Sequence, residues 1–269
     1  MALSREDVLR ELELLPVWKQ REPIVEQVRE VATPEPAVVV AESAAAAEAH
    51  QPEASPVAME PALPAESASQ AETRRERIHR MDWQTLQSCV RDCTACELAA
   101  TRTQTVFGVG DPQADWMVIG EAPGAEEDRK GEPFVGQAGK LLDNMLAAIG
   151  LKRGENVYIA NIVKCRPPGN RDPQGGEIDQ CEPFLERQLA LIQPKLIVAV
   201  GRVSAQTLLQ TDASVGALRG RLHRYQGIPV IVTYHPAYLL RNLPDKAKAW
   251  EDLCLARRTM QALQAGAAD

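Results

Sequence analysis

The chain has 269 residues, 45% of them hydrophobic and 4% aromatic, with 30 Lys+Arg against 37 Asp+Glu and 6 Cys. That length allows one large or two small domains, and no apolar run approaches the roughly 18 residues a membrane helix needs. The net charge of −7 sits at one end: residues 1–80 carry 9 Lys+Arg and 15 Asp+Glu, which leaves a net of only −1 for residues 81–269. The acidic balance therefore does not exclude a polyanionic partner for the larger part. The start, MALSREDVLRELELL, is charged throughout and lacks the apolar core of a signal peptide. A cytoplasmic protein with no membrane association is expected. Its thiols would stay reduced, so its cysteines read better as metal ligands or catalytic groups than as disulfides.

Residues 1–20 predict a short amphipathic helix: Ser4 caps Arg5-Glu6-Asp7, and Leu9, Leu12 and Leu15 fall at helical spacing. The bland reading is a frayed terminal helix, and the sharper one a docking peptide for a protein partner. Residues 21–80 read as a linker. Between Val31 and Glu72 stand 14 Ala, 6 Pro and 7 Glu with no Lys, Arg or aromatic residue. So little apolar surface cannot offset the entropy of ordering, and a disordered N-terminal extension is expected.

Residues 81–269 alternate between strand and helix signals. Strands are expected at Trp116–Gly120, Val157–Asn161, Leu196–Gly201 and Pro229–Thr233, and helices at Gly139–Ile149, Glu177–Ile192, Val203–Gln210 and Asp245–Leu263. Continuous apolar strands between helices predict an α/β fold, a three-layer αβα sandwich around a central four-stranded parallel sheet. In such sheets ligands bind beyond the carboxyl ends of the strands.

Three of those ends carry polar loops shaped by Gly and Pro. The first strand runs into Gly120-Glu121-Ala122-Pro123-Gly124, Glu126-Glu127-Asp128 and Glu132-Pro133-Phe134-Val135-Gly136; the second into Asn161 and Lys164-Cys165-Arg166-Pro167-Pro168-Gly169-Asn170-Arg171; the fourth into His235-Pro236-Ala237-Tyr238-Leu239-Leu240-Arg241. Each alone has an ordinary explanation: a turn, a helix cap, a structural histidine. Their common placement on one rim is what points to a site.

Taken in order, GEAPGxxED, EPFVG, NIVKCRPPGNR and YHPAYLLR resemble the family 4 uracil-DNA glycosylases, over roughly Asp82 to Met260. The resemblance implies hydrolysis of the bond between deoxyribose and uracil by a monomer acting on uracil-containing DNA, with the target nucleotide flipped out of the duplex. It assigns Phe134 to stacking on the base and Asn161 to its Watson–Crick edge, with Gly120, Glu121 and Ala122 beside uracil O2. His235 would donate to O2 as the base leaves. The family's cousins carry a water-activating Asp where this chain has Ala122, so Asn170 is expected to position water, with Glu121 and Glu127 as the remaining carboxylates and Glu127 forming the wall on the C5 side. Tyr238, Leu239, Leu240 and Arg241 would enter the minor groove. Arg166 and Arg171, with Lys164 and the Arg219–Arg224 cluster, are candidate phosphate contacts.

Cys93-x2-Cys96 is a thiolate clip of the kind found in zinc and iron–sulfur sites, and Cys165 and Cys181 form a wider second pair. Spacing shows only a plausible four-thiolate site; the resemblance implies a [4Fe–4S] cluster on Cys93, Cys96, Cys165 and Cys181. Cys89 and Cys254 match no ligand position. Competing readings are a relative with altered base choice, such as hypoxanthine, and a non-catalytic DNA-binding iron–sulfur protein.

Overall fold

The fold is that of a computed structural model describing residues 72–266. The helix expected over residues 1–20 and most of the expected linker lie outside the described residues. The first element among the described residues, α1 (Arg74–Arg80), falls within that linker. It opens on a capping box: the Glu76 amide donates to the Thr73 hydroxyl, and the Thr73 amide donates to the Glu76 carboxylate. Ile78, 1% exposed, anchors it in the core, and Arg75 pairs with Glu182 and Glu186. Residues 74–80 therefore belong to the fold, which begins before the expected boundary at residue 81.

In chain order there follow α2 (Trp83–Arg91), β1 (Val109–Gly110), β2 (Trp116–Gly120), α3 (Ala125–Lys130), α4 (Gln137–Ala148), β3 (Val157–Asn161), α5 (Gly175–Ile192), β4 (Leu196–Val200), α6 (Arg202–Leu209), α7 (Val215–Leu218), β5 (Leu222–Tyr225), β6 (Ile228–Thr233), α8 (Pro236–Arg241) and α9 (Lys246–Gln264). The strands form one sheet in the order β1-β3-β2-β4-β6-β5. The four inner strands are parallel, as the sequence predicts; β1 and β5 add antiparallel edges that it does not, so the sheet is mixed.

Every residue of β2, β3 and β4 is buried, because helices cover both faces. Side chains alternate between two cores. Met117, Ile119, Ala160, Ile197 and Ala199 face α1, α2, α5 and α6, whereas Trp116, Val118, Ile159, Val198 and Ile231 face α4, α8 and α9. Each fully buried Val, Leu or Ile contributes about 1.5–3 kcal/mol, and together they hold the three layers. The chain leaves β2 toward β3 on one side and β4 toward β6 on the other, so the strand order reverses between β2 and β4. A crevice opens at the carboxyl ends beside such a reversal. Among the described residues, no helix is long and apolar enough to cross a membrane.

Candidate active site

A cleft of about 390 Å³ occupies that position. Its lining draws on the loops after β2, β3 and β6: Glu121, Glu127, Phe134, Asn161, Asn170 and His235 all reach it. These are residues the sequence singles out at the strand ends, and the fold brings them together.

Asn161 ends β3 opposite Gly120, the last residue of β2. It is 2% exposed, and its Oδ1 has no hydrogen-bond partner. A buried amide oxygen left unpaired costs about 1–3 kcal/mol, so in a well-packed fold it marks a place where a partner is to be supplied. A Cβ on Gly120 would lie 2.5 Å from that oxygen and 2.6 Å from the Phe134 ring, so only glycine leaves room for both side chains.

Phe134 sits at φ 55, a left-handed conformation that side-chain-bearing residues seldom adopt. Its loop is clamped from both ends. Arg153 donates to the carbonyls of Pro133 and Phe134, each at 2.8 Å, and Glu127 Oε1 accepts from the amides of Val135 at 2.9 Å and Gly136 at 3.1 Å. Strain of this kind persists only where the surroundings enforce it. One Glu127 oxygen is thus committed to holding the loop that presents Phe134.

His235 caps α8. Its Nδ1 accepts from the Ala237 amide at 3.1 Å, which leaves the ring proton on Nε2 in the neutral form. Burial, helped by the nearby Arg241 cation and opposed by Glu127, pushes its pKa down to about 4. The imidazole is therefore neutral at physiological pH and offers one N–H. Its ring lies 5.5 Å from that of Phe134, centroid to centroid.

The cleft mouth carries the ionisable groups. Burial, and after it the charge and hydrogen bond of Asp172, push Glu121 up to about 7, against the pull of Arg202. Asn170 Oδ1 accepts from Arg166 Nε at 2.7 Å. Ala122 lines the cleft and brings no acid–base group.

Several expected roles are corrected. Leu239 is 1% exposed and packs in the core, because it falls on the inner face of α8; Leu240, 42% exposed, is the apolar side chain that faces out. Tyr238 donates to Asp245 at 2.6 Å and stacks on Tyr234. Arg171 commits both terminal nitrogens to Glu177, at 2.6 and 2.9 Å. Lys164 is no phosphate contact: it is 1% exposed and donates to the Asn161 carbonyl at 2.9 Å and to Gln188 at 2.6 Å, and burial lowers its pKa to about 8. Arg219 is held by Asp252 and Glu251, and Arg221 and Arg224 donate to backbone carbonyls.

The cofactor expectation is overturned. Cys93, Cys96, Cys165 and Cys181 line a small apolar cavity with Val90 and Phe184. Among the described residues, however, no group of three or more His, Cys, Asp or Glu is placed to hold a metal ion. Burial pushes the Cys165 thiol up and Cys181 up to about 12. The Cys165 sulfur accepts from Arg102 at 3.1 Å and the Cys181 sulfur from the Lys164 amide at 3.2 Å. All four are free cysteines, as are Cys89 and Cys254.

Sequence reasoning missed Arg153, Asp172, Arg202 and the Lys164–Gln188 pair. The GNR run adjoins Asp172, but nothing in a single acidic loop residue signals that it shares the cleft with Glu121.

The uracil DNA glycosylase superfamily model matches residues 107–254. A type-4 uracil-DNA glycosylase of Archaeoglobus fulgidus is 45% identical over 159 residues, covering 56% of this chain and 79% of the relative. One of Pyrobaculum aerophilum is 39% identical over 65% of this chain and 93% of its own length. One of Thermotoga maritima is 44% identical over 59% and 83%. The cleft residues described above all lie inside the matched stretch, and the chain belongs to family 4 of the uracil-DNA glycosylase superfamily.

Proposed function

We propose that the cleft takes a uracil flipped out of DNA, with Asn161 reading the base and His235 stabilising it as it departs. The protein is a DNA-repair glycosylase: it hydrolyses the bond between deoxyribose and uracil, releases the free base and leaves an abasic site. The observation that carries the recognition step is the unpaired Oδ1 of Asn161. The amide accepts from uracil N3–H through Oδ1 and donates to O4 through its NH2 group. Cytosine presents a bare N3 and an N4 donor, so the same amide meets it with both polarities wrong. A site whose buried polar groups would be left unpaired rejects such a base strongly.

Phe134 supplies a face for the base. As the C1′–N1 bond breaks, its electron pair passes to the base, and negative charge grows on O2 and O4 while the sugar becomes cationic. The His235 Nε2–H donates to O2. It binds a neutral carbonyl weakly and a forming anion strongly, which is what accelerates a reaction. A water then attacks C1′ and loses its proton to Glu121, ionised above its pKa of about 7. The sugar cation is strongly electrophilic, so a weak base suffices. Asn170 positions the water, and Glu127 acts through the Phe134 loop. Arg166 and Arg241 provide positive charge at the rim, and exposed Leu240 is the wedge that fills the vacated stack. A monomer in the cytoplasm goes with this reading.

The test is a single-turnover excision assay on oligonucleotides carrying uracil, cytosine, hypoxanthine or mismatched thymine. Uracil release alone is expected. Hypoxanthine released as fast as uracil would overturn the reading of Asn161.

A further inference from the structure

The ring of Phe134 reaches the cleft from a loop whose backbone is held from behind. Arg153 stands in the turn between α4 and β3 and is not among the residues that line the cleft. All three nitrogens of its guanidinium are engaged. Nε donates to Asp143 Oδ1 of α4, Nη1 to the Pro133 carbonyl and Nη2 to the Phe134 carbonyl, each at 2.8 Å. The side chain is 21% exposed, so these contacts are largely shielded from water. The two carbonyls flank the φ 55 of Phe134. On the α4 side the Phe134 carbonyl has no room to move: a Cβ on Gly139 would lie 1.8 Å from its oxygen. The ring itself rests against Gly120 and 5.5 Å from His235. A planar guanidinium presents a rigid fork to two neighbouring acceptors, which the point charge of a lysine does not.

We propose that Arg153 is a positioning residue for base recognition: from outside the cleft, its fork on the Pro133 and Phe134 carbonyls holds Phe134 in the left-handed conformation, so that the stacking face is in place before the flipped base arrives. The role rests on the reading of Phe134 as that face. Without the fork both carbonyls lose their donor, and the backbone relaxes toward the negative φ that a residue with a side chain prefers. The ring then leaves its place beside Gly120. Only the fraction of molecules with the ring in place accepts the base, and the observed affinity for the base falls by that fraction. Glu127 holds the far end of the same loop through the Val135 and Gly136 amides, but it also lines the cleft. Arg153 does not, so its substitution reports on the loop alone.

The test is a double-mutant cycle on single-turnover uracil release, with enzyme in excess so that affinity for DNA does not enter, joined to inhibition of release by free uracil. Arg153→Met should slow release by about tenfold and weaken inhibition by free uracil to a similar degree. Arg153→Lys keeps the charge beside Asp143 but not the fork, and should slow release by about threefold or more at an unaltered melting temperature. In a Phe134→Ala background, adding Arg153→Met should change the rate by less than about twofold, because the ring it positions is gone. Two results overturn the proposal: wild-type rates in both Arg153 variants, or an Arg153→Met loss that is equal with and without Phe134, which marks a general loss of structure. Phe134→Ala alone separates the two readings. If it releases uracil at the wild-type rate, the stacking reading falls and the role of Arg153 with it. If it is slow while both Arg153 variants keep the wild-type rate, only the role of Arg153 falls.

Discussion

The inner half of the cleft and its mouth are built on opposite electrostatic plans. Inside, Asn161, Phe134 and His235 carry no net charge at neutral pH: one is an amide with an unpaired oxygen, one a hydrocarbon ring, one an imidazole whose pKa lies at about 4. At the mouth, Glu121, Asp172, Arg202 and Arg166 are ionisable and paired with one another or with a neighbouring amide. The difference follows the charge that the reaction creates. A base that becomes an anion is met by fixed neutral dipoles, which favour the developing charge without drawing in a counter-ion beforehand. A sugar that becomes a cation is met by a carboxylate able to take a proton from water.

Disabling the inner half should be the more costly. Asn161→Asp removes the donor to O4 and places a charge opposite the Watson–Crick edge of the base. Uracil excision should fall by about 10³-fold or more with no matching fall on cytosine, so that discrimination between them narrows; rates on matched uracil and cytosine oligonucleotides check this. His235→Ala should lower the single-turnover rate by about 10²–10³-fold, the scale of one oxyanion donor, while binding to uracil-containing DNA changes little, because phosphate contacts and stacking supply most of the affinity. Binding and rate measured on one preparation, with its melting temperature, separate this from a structural loss.

Disabling the mouth should cost less. Glu121→Gln is expected to slow release by about 10²-fold, the low end for a general base, because a dissociative reaction asks little of one. The smallest effect falls outside the cleft. Leu240→Ala should slow excision from duplex DNA by about threefold to tenfold and leave single-stranded substrate unaffected. An equal loss on both would remove the wedge role.

The fold was largely legible because the inner strands are unbroken apolar runs. Trp116–Gly120 and Val157–Asn161 are read without error, and their ends name the site. The edges were not legible. β1 is two residues long, and Leu-His-Arg-Tyr of β5 alternates between exposed and half-buried, so it reads as a basic patch. α1 carries one core residue among charges; its Thr73–Glu76 capping box is the sequence signal that could have found it. Burial decided the remaining errors. Leu239 and Leu240 are chemically identical neighbours, and only the rotation of α8 puts one inside and one out. Lys164 looks like a phosphate contact until the fold closes over it. The cysteine spacing suggests a ligand set, but not whether the thiols stand where a metal could be held. Asp172 shares the cleft with Glu121, 51 positions earlier in the chain, a placement that no local pattern encodes.

The central claim, a neutral inner half facing a mouth of ionisable groups, is tested most directly by nitrogen NMR of the His235 ring across a pH titration of the folded protein. The structure predicts a proton on Nε2 and none on Nδ1 at pH 7, with the second proton taken up only near pH 4. A doubly protonated imidazolium at pH 7, or a titration near the ordinary value of 6.5, would contradict it, since the departing base would then meet a full positive charge instead of a neutral donor.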